Sequence, residues 1–298
     1  MGKCSGSRAF RVSDAEGSAW RTPAAVILAL AAGVGTGTAE PLSSLRFREA
    51  VGHAVVVPVR LNGRGPFDLV LDTAARFTIL EPGLAAELGL EPFGRLPLVT
   101  VAGAREAARA RLDRLTLGPA ELTGVDVLVA EVPVLRSADR RIRGLLGQSA
   151  LARLSFGLDH ARRLVLFHRP ARTDAVVPLD EREGRPALSF APKTSASALS
   201  LVLDSGLPAP VIFAKRGTPL PVELVPGFFE AETSSGVARL SMARLEGRVG
   251  TLALKAALAA VQDDGAAGGR EEDGLIPTRA FRAVYFDRDG GTLLLVAR

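Results

Sequence analysis

Phe-Asp-Leu-Val-Leu-Asp-Thr-Ala-Ala-Arg-Phe-Thr-Ile-Leu, residues 67–80, opens with an apolar run of strand length that delivers a carboxylate, Asp72, to its end. A turn of small residues, Thr73-Ala74-Ala75, receives it. An ionised carboxylate at the end of a buried strand is costly unless hydrogen bonds or a chemical role hold it there. Taken alone, the stretch also fits an ordinary Asp-Thr turn, because both residue types are turn formers.

A second copy changes the reading. Leu-Val-Leu-Asp-Thr at 69–73 returns as Leu-Val-Leu-Asp-Ser at 201–205, an offset of 204 − 72 = 132 between the two aspartates. Gly144-Leu145-Leu146-Gly147 returns as Gly274-Leu275-Ile276-Pro277, offset 274 − 144 = 130. The segment around Asp159, ending Leu164-Val165-Leu166-Phe167, returns around Asp287, ending Leu293-Leu294-Leu295-Val296, offset 287 − 159 = 128. Three landmarks in one order at nearly one spacing read as an internal duplication. Two related halves can set two like carboxylates face to face across a pseudo-two-fold axis.

On these residues the chain resembles the retropepsin-like aspartic proteases, and as a fused pair of such units it is similar to the two-lobed pepsins. The resemblance implies an all-β, two-lobed acid-protease β-barrel fold with short helices. It assigns residues 47–168 to a first lobe, 169–184 to a linker and 185–298 to a second lobe. It places Asp72 and Asp204 at the catalytic positions, with Thr73, Ala74, Ser205 and Gly206 supporting them and Thr73 and Ser205 bonding across to the opposite loop. Hairpins near Gly103 and near Ser235-Gly236 would be flaps over a substrate. The implied activity is hydrolysis of peptide bonds in peptides or unfolded proteins, by a single chain acting as a pseudo-dimer. No cofactor is implied.

Two positions depart from the family. Ala74 and Pro277 stand where it has glycine, and a fold relative that binds peptides without cutting them is the alternative they leave. Neither Ala75 nor Leu207 offers the carboxylates a hydroxyl, which predicts a less acidic optimum than that of pepsin.

Composition bounds the remaining classes. A chain of 298 residues, 47% apolar, holds two small cores. The net charge is +5, but the basic residues are mostly dispersed Arg without aromatic interleaving or a nucleic-acid motif, which argues against a nucleic-acid partner. His53, His160 and His168 lack metal-ligand spacing, so no metal is expected. Arg8, Arg11 and Arg21 precede an uncharged run, Pro23 to Val34, and then small residues ending at Ala39. That pattern predicts a signal peptide over 1–39 and export, with a membrane anchor as the alternative. The single Cys4 lies within it, so disulfides play no part in the expected fold.

Overall fold

The computed structural model describes residues 10–12, 44–100, 103–132, 139–233, 236–263 and 270–298. They form an all-β molecule of two lobes joined by a sheet to which both contribute.

The apolar run before Asp72 becomes the strand Arg64–Leu71, and its uninterrupted hydrophobicity has a simple cause. Leu69 and Leu71 enter the main core, while Val70 packs on the other face with Val56 and Ile142. A strand buried on both faces needs apolar residues at consecutive positions. Asn62 and Gly63, both at positive φ, turn the chain back from Val55–Leu61 into this strand, with Leu61 facing Arg64. Gly65 and Pro66, residue types common in turns, lie within the strand.

The two lobes repeat one local arrangement. In the first, Ile142–Leu146 runs parallel to Arg64–Leu71 and antiparallel to Thr78–Leu80, which in turn runs parallel to Ala120–Val129. In the second, Gly274–Pro277 runs parallel to Leu199–Asp204 and antiparallel to Val211–Ala214, which runs parallel to Leu252–Asp263. Gly144 and Gly274 hold matching places: a Cβ on Gly144 would stand 2.2 Å from the Ile79 carbonyl oxygen, and one on Gly274 would stand 2.2 Å from that of Val211. Glycine is what lets these strands approach so closely.

The joining sheet has six strands in the order Ala175–Pro178, Thr292–Val296, Ala283–Asp287, Phe156–Asp159, Leu164–Leu166, Ser44–Arg46. At its centre the strands of Asp159 and Asp287 pair antiparallel, Phe156 opposite Phe286 and Gly157 opposite Tyr285. The two phenylalanine rings stack at 5.0 Å. Gly157 leaves the notch that Tyr285 fills, since a Cβ there would stand 2.8 Å from the tyrosine ring. Residues of both lobes enter one continuous core, from Val55 and Leu71 to Leu203 and Phe286.

The segment between the lobes differs from the sequence reading. The stretch 169–184, expected as a linker, contains Ala175–Pro178 in the joining sheet and Asp180–Arg182 in the second lobe's sheet. Hairpin pairing and apolar residues at alternate positions give this connection a β structure. The short helix Pro82–Glu87 after the Asp72 loop has no counterpart after Asp204, where Pro208 and Pro210 lead straight into Val211–Ala214. Residues 13–43, which include the apolar run Pro23 to Val34 and the Ala39 site, lie outside the described residues. Phe10–Val12, within the segment read as a signal peptide, pairs antiparallel with Glu223–Thr233, Arg11 facing Glu230. Among the described residues no helix is long and apolar enough to cross a membrane.

Candidate active site

Asp72 and Asp204 stand where two buried strands end, one in each lobe. The residues that follow them lock the two ends together. The Thr73 backbone N–H donates to Ser205 Oγ at 3.0 Å, and the Ser205 N–H donates to Thr73 Oγ1 at 3.1 Å. The hydroxyls then continue into the opposite strands: Thr73 Oγ1 donates to the Leu203 carbonyl at 2.6 Å and Ser205 Oγ to the Leu71 carbonyl at 2.7 Å. Both side chains are buried, so all four bonds replace interactions that water cannot supply.

Each carboxylate is held by its own turn. Asp72 Oδ1 accepts from the backbone N–H groups of Ala74 at 2.9 Å and Ala75 at 3.1 Å. Asp204 Oδ1 accepts from Gly206 N–H at 2.7 Å. Asp204 is buried, while Asp72 is partly open to solvent. Burial, and then the charge of Asp72, push Asp204 up to about 8, against the N–H groups of Gly206 and Leu207 and the Arg185 guanidinium. Burial also raises Asp72, against the N–H groups of Ala74 and Ala75 and the same Arg185. Two neighbouring carboxylates that repel each other share a proton over a wide pH range.

The two departures from the family glycines leave the local bonding intact. Ala74 does not have a positive φ, so its methyl meets no backbone restriction, and its N–H still reaches Asp72. The matching Gly206 likewise avoids the left-handed region, and a Cβ there would meet only Asp204 Oδ1, at 3.3 Å. At the other position, Gly147 N–H donates to Thr78 Oγ1 at 3.2 Å. The strand register that pairs Leu145 with Ile79 and Leu275 with Val211 makes Pro210 the counterpart of Thr78. In the second lobe Pro277 lacks the donor and Pro210 lacks the hydroxyl, so neither loss leaves an orphaned partner.

The hairpin strands Gly94–Thr100 and Gly103–Leu117 pair with Thr100 facing Gly103. In the second lobe Thr233 faces Gly236 in the hairpin of Glu223–Thr233 and Gly236–Val249, and Ser235 lies outside the described residues.

The sequence reading missed two charged groups and one amide beside the aspartates. Arg185 opens the strand next to that of Asp204; with Ala187 opposite Val202, the ladder carries Arg185 to the level of the carboxylate. Its guanidinium is bound by Glu272 at 3.0 Å and Glu183 at 3.4 Å, and Glu183 also meets Arg76 of the Asp72 loop at 3.5 Å. Gln148 and Arg288 approach the Asp72 loop from behind. Register relative to Asp204 could have signalled Arg185, whereas nothing local marks the other two.

Residues 57–150 match the family model described as aspartyl protease. No curated protein matches the chain. Among solved structures, the aspartic proteinase from Irpex lacteus aligns at 12% identity and a TM-score of 0.47, over 85% of this chain and 96% of that one. Through residues 57–150, in the lobe that carries Asp72, the chain is similar to the aspartyl protease family.

Proposed function

We propose that this protein is an aspartic endopeptidase in which Asp72 and Asp204 activate one water between them. The observation that carries the reading is the reciprocal bonding of Thr73 and Ser205. Residues directly following the two aspartates touch across the lobe boundary, which supports a shared site for the preceding carboxylates. Burial raises both carboxyls; Asp204, raised further by the charge of Asp72, is assigned the shared proton, and Asp72, with two backbone donors on Oδ1, the charge.

The ionised Asp72 takes a proton from the water as its oxygen attacks the peptide carbonyl carbon. Asp204 gives its proton to the carbonyl oxygen, and the tetrahedral adduct collapses with a proton passed to the leaving amine. No covalent intermediate with the protein forms. The substrate proposed with it, on the likeness to aspartyl proteases, is a peptide or unfolded protein lying across the two lobes, with residues 47–168 and 185–298 as the units that grip it. Export after removal of residues 1–39 is proposed on the N-terminal sequence pattern alone.

The test is hydrolysis of an unstructured protein by the wild type and by Asp72→Asn and Asp204→Asn. Loss of at least about 100-fold in each variant is expected, the scale of general acid–base catalysis. Equal hydrolysis by all three ends the reading, and peptide binding without turnover by the wild type selects the non-catalytic alternative.

A further inference from the structure

Behind the Asp72 loop lies a side chain that the chemistry above does not use. Gln148 opens the short helix Gln148–Leu151 directly after Gly147 and is buried. Its Nε2–H donates to the Thr73 carbonyl at 2.6 Å, and its Oε1 accepts from Arg288 Nη2 at 2.9 Å. A carbonyl can only accept and a guanidinium can only donate, so these partners fix the amide's orientation. A carboxylate could not serve the carbonyl, and a cation could not serve Arg288. The backbone reinforces the hold: Gln148 N–H donates to the Ala75 carbonyl at 2.8 Å and Ser149 N–H to that of Arg76 at 3.1 Å. Carbonyls of Thr73, Ala75 and Arg76 are therefore all gripped by two consecutive residues.

Arg288 belongs to the other lobe, in the turn between Ala283–Asp287 and Thr292–Val296. Its side chain is only 13% exposed and pairs with Glu181. Its backbone N–H is held by Ser155 Oγ at 3.0 Å. The other half of the molecule has a related contact: His160, next to Asp159 as Arg288 is next to Asp287, meets Thr278 Oγ1 at 3.0 Å. The longer Gln148 differs from Thr278 in reaching through to the Asp72 loop.

We propose that Gln148 is a positioning residue for Asp72 and that Arg288 sets it, so that docking of the second lobe's closing turn fixes the geometry of the first lobe's aspartate. The kinetic consequence rests on the endopeptidase reading; the structural one does not. Without the amide, the Thr73 carbonyl is released, the exchange between Thr73 and Ser205 loosens, and Asp72 loses its alignment.

The experiment uses the full chain with Gln148→Met, Gln148→Glu and Arg288→Lys. Amide hydrogen exchange is followed at Thr73 and Ser205 and, as an internal reference, at Leu69 to Leu71. Both Gln148 variants are expected to speed exchange at Thr73 and Ser205 by about tenfold or more while the reference strand is unchanged. On an unfolded protein substrate, kcat is expected to fall by about 10- to 100-fold with KM within about twofold, the penalty of a small misplacement. Arg288→Lys keeps one donor to Gln148 and is expected to stay close to the wild type in both measurements. Unchanged exchange at Thr73 and Ser205, or faster exchange spread evenly along the strand, overturns the inference whatever the kinetics. A wild type that cleaves nothing defeats the endopeptidase reading alone, because the exchange measurement still decides this one.

Discussion

Thr73 and Ser205 each donate a backbone N–H to the other's hydroxyl, at 3.0 and 3.1 Å, and each hydroxyl donates in turn to a carbonyl of the strand that bears the opposite aspartate. Thr73→Val preserves shape but strips one donor and one acceptor from this buried set. A loss of about 2–4 kcal/mol in chemical denaturation is expected, and a similar one for Ser205→Ala. Because each hydroxyl serves the other's loop, the double variant should cost clearly less than the sum. Full additivity would mean that the two residues act independently.

Asp204 makes stability depend on pH in a direction that can be worked out. Its carboxyl is raised from 3.8 to about 8 by burial and by the charge of Asp72, so the folded chain holds the proton more tightly than the unfolded chain. That contribution is complete below about pH 4 and is lost as the pH rises towards 8. Asp204→Asn cannot ionise and escapes the loss. Its advantage in Tm over the wild type should grow steadily from pH 4 to pH 8. A difference independent of pH would show that the carboxyl titrates normally.

His160 acts with the opposite sign. Burial, and then Arg279, lower it from 6.5 to about 4. The folded chain resists its protonation, so its contribution is present above pH 6.5 and is lost as the pH falls towards 4. The loss amounts to about 3 kcal/mol. His160→Gln retains a hydrogen-bonding group for Thr278 and should flatten the acid limb of a Tm-against-pH curve; an unchanged limb would assign acid sensitivity elsewhere.

Arg185 is 11% exposed at its side chain and Glu272 only 1%, with 3.0 Å between them. Arg185→Gln leaves a buried carboxylate without this partner and should cost about 3–5 kcal/mol. Adding Glu272→Gln should recover most of that loss. Since Arg185 lowers both Asp72 and Asp204, its removal should also move both limbs of a hydrolysis pH profile upward. A profile that stays in place would separate the ion pair from the dyad.

The two family-glycine positions of the first lobe predict unequal outcomes. A Cβ on Gly147 would stand 2.4 Å from the Phe77 carbonyl oxygen and 2.8 Å from that of Ala75, both backbone atoms that cannot move cheaply. Gly147→Ala should cost more than about 2 kcal/mol, in the range of overpacked interiors. Ala74→Gly relieves no restriction, because Ala74 has no positive φ, and should lower stability by no more than about 1 kcal/mol through the unfolded chain. Urea denaturation of both variants checks the pair, and a stabilised Ala74→Gly would reveal strain at that turn.

Much of this molecule is written locally. The run ending at Asp72 and its second copy ending at Asp204 have to be buried strands, since consecutive apolar residues bounded by small turn formers have few other stable solutions. The Asn62-Gly63 turn and the Pro82 helix start follow from the same local rules. What the sequence could not disclose are contacts between residues far apart in the chain. Arg185 meets Glu272 because the strands beside them flank Leu199–Asp204, and Gln148 meets Arg288 and His160 meets Thr278 because the two closing strands pair at the centre of the shared sheet. The stretch 169–184 looked like a connection because its charged and proline residues hide its short strands; a partner more than a hundred residues away made Ala175–Pro178 sheet, and a local hairpin did so for Asp180–Arg182. Hydrophobic patterning and turn chemistry act over a few residues and determine strands. The electrostatic setting of the two aspartates is a sum over space, and the folded arrangement alone decides which charges stand near enough to contribute.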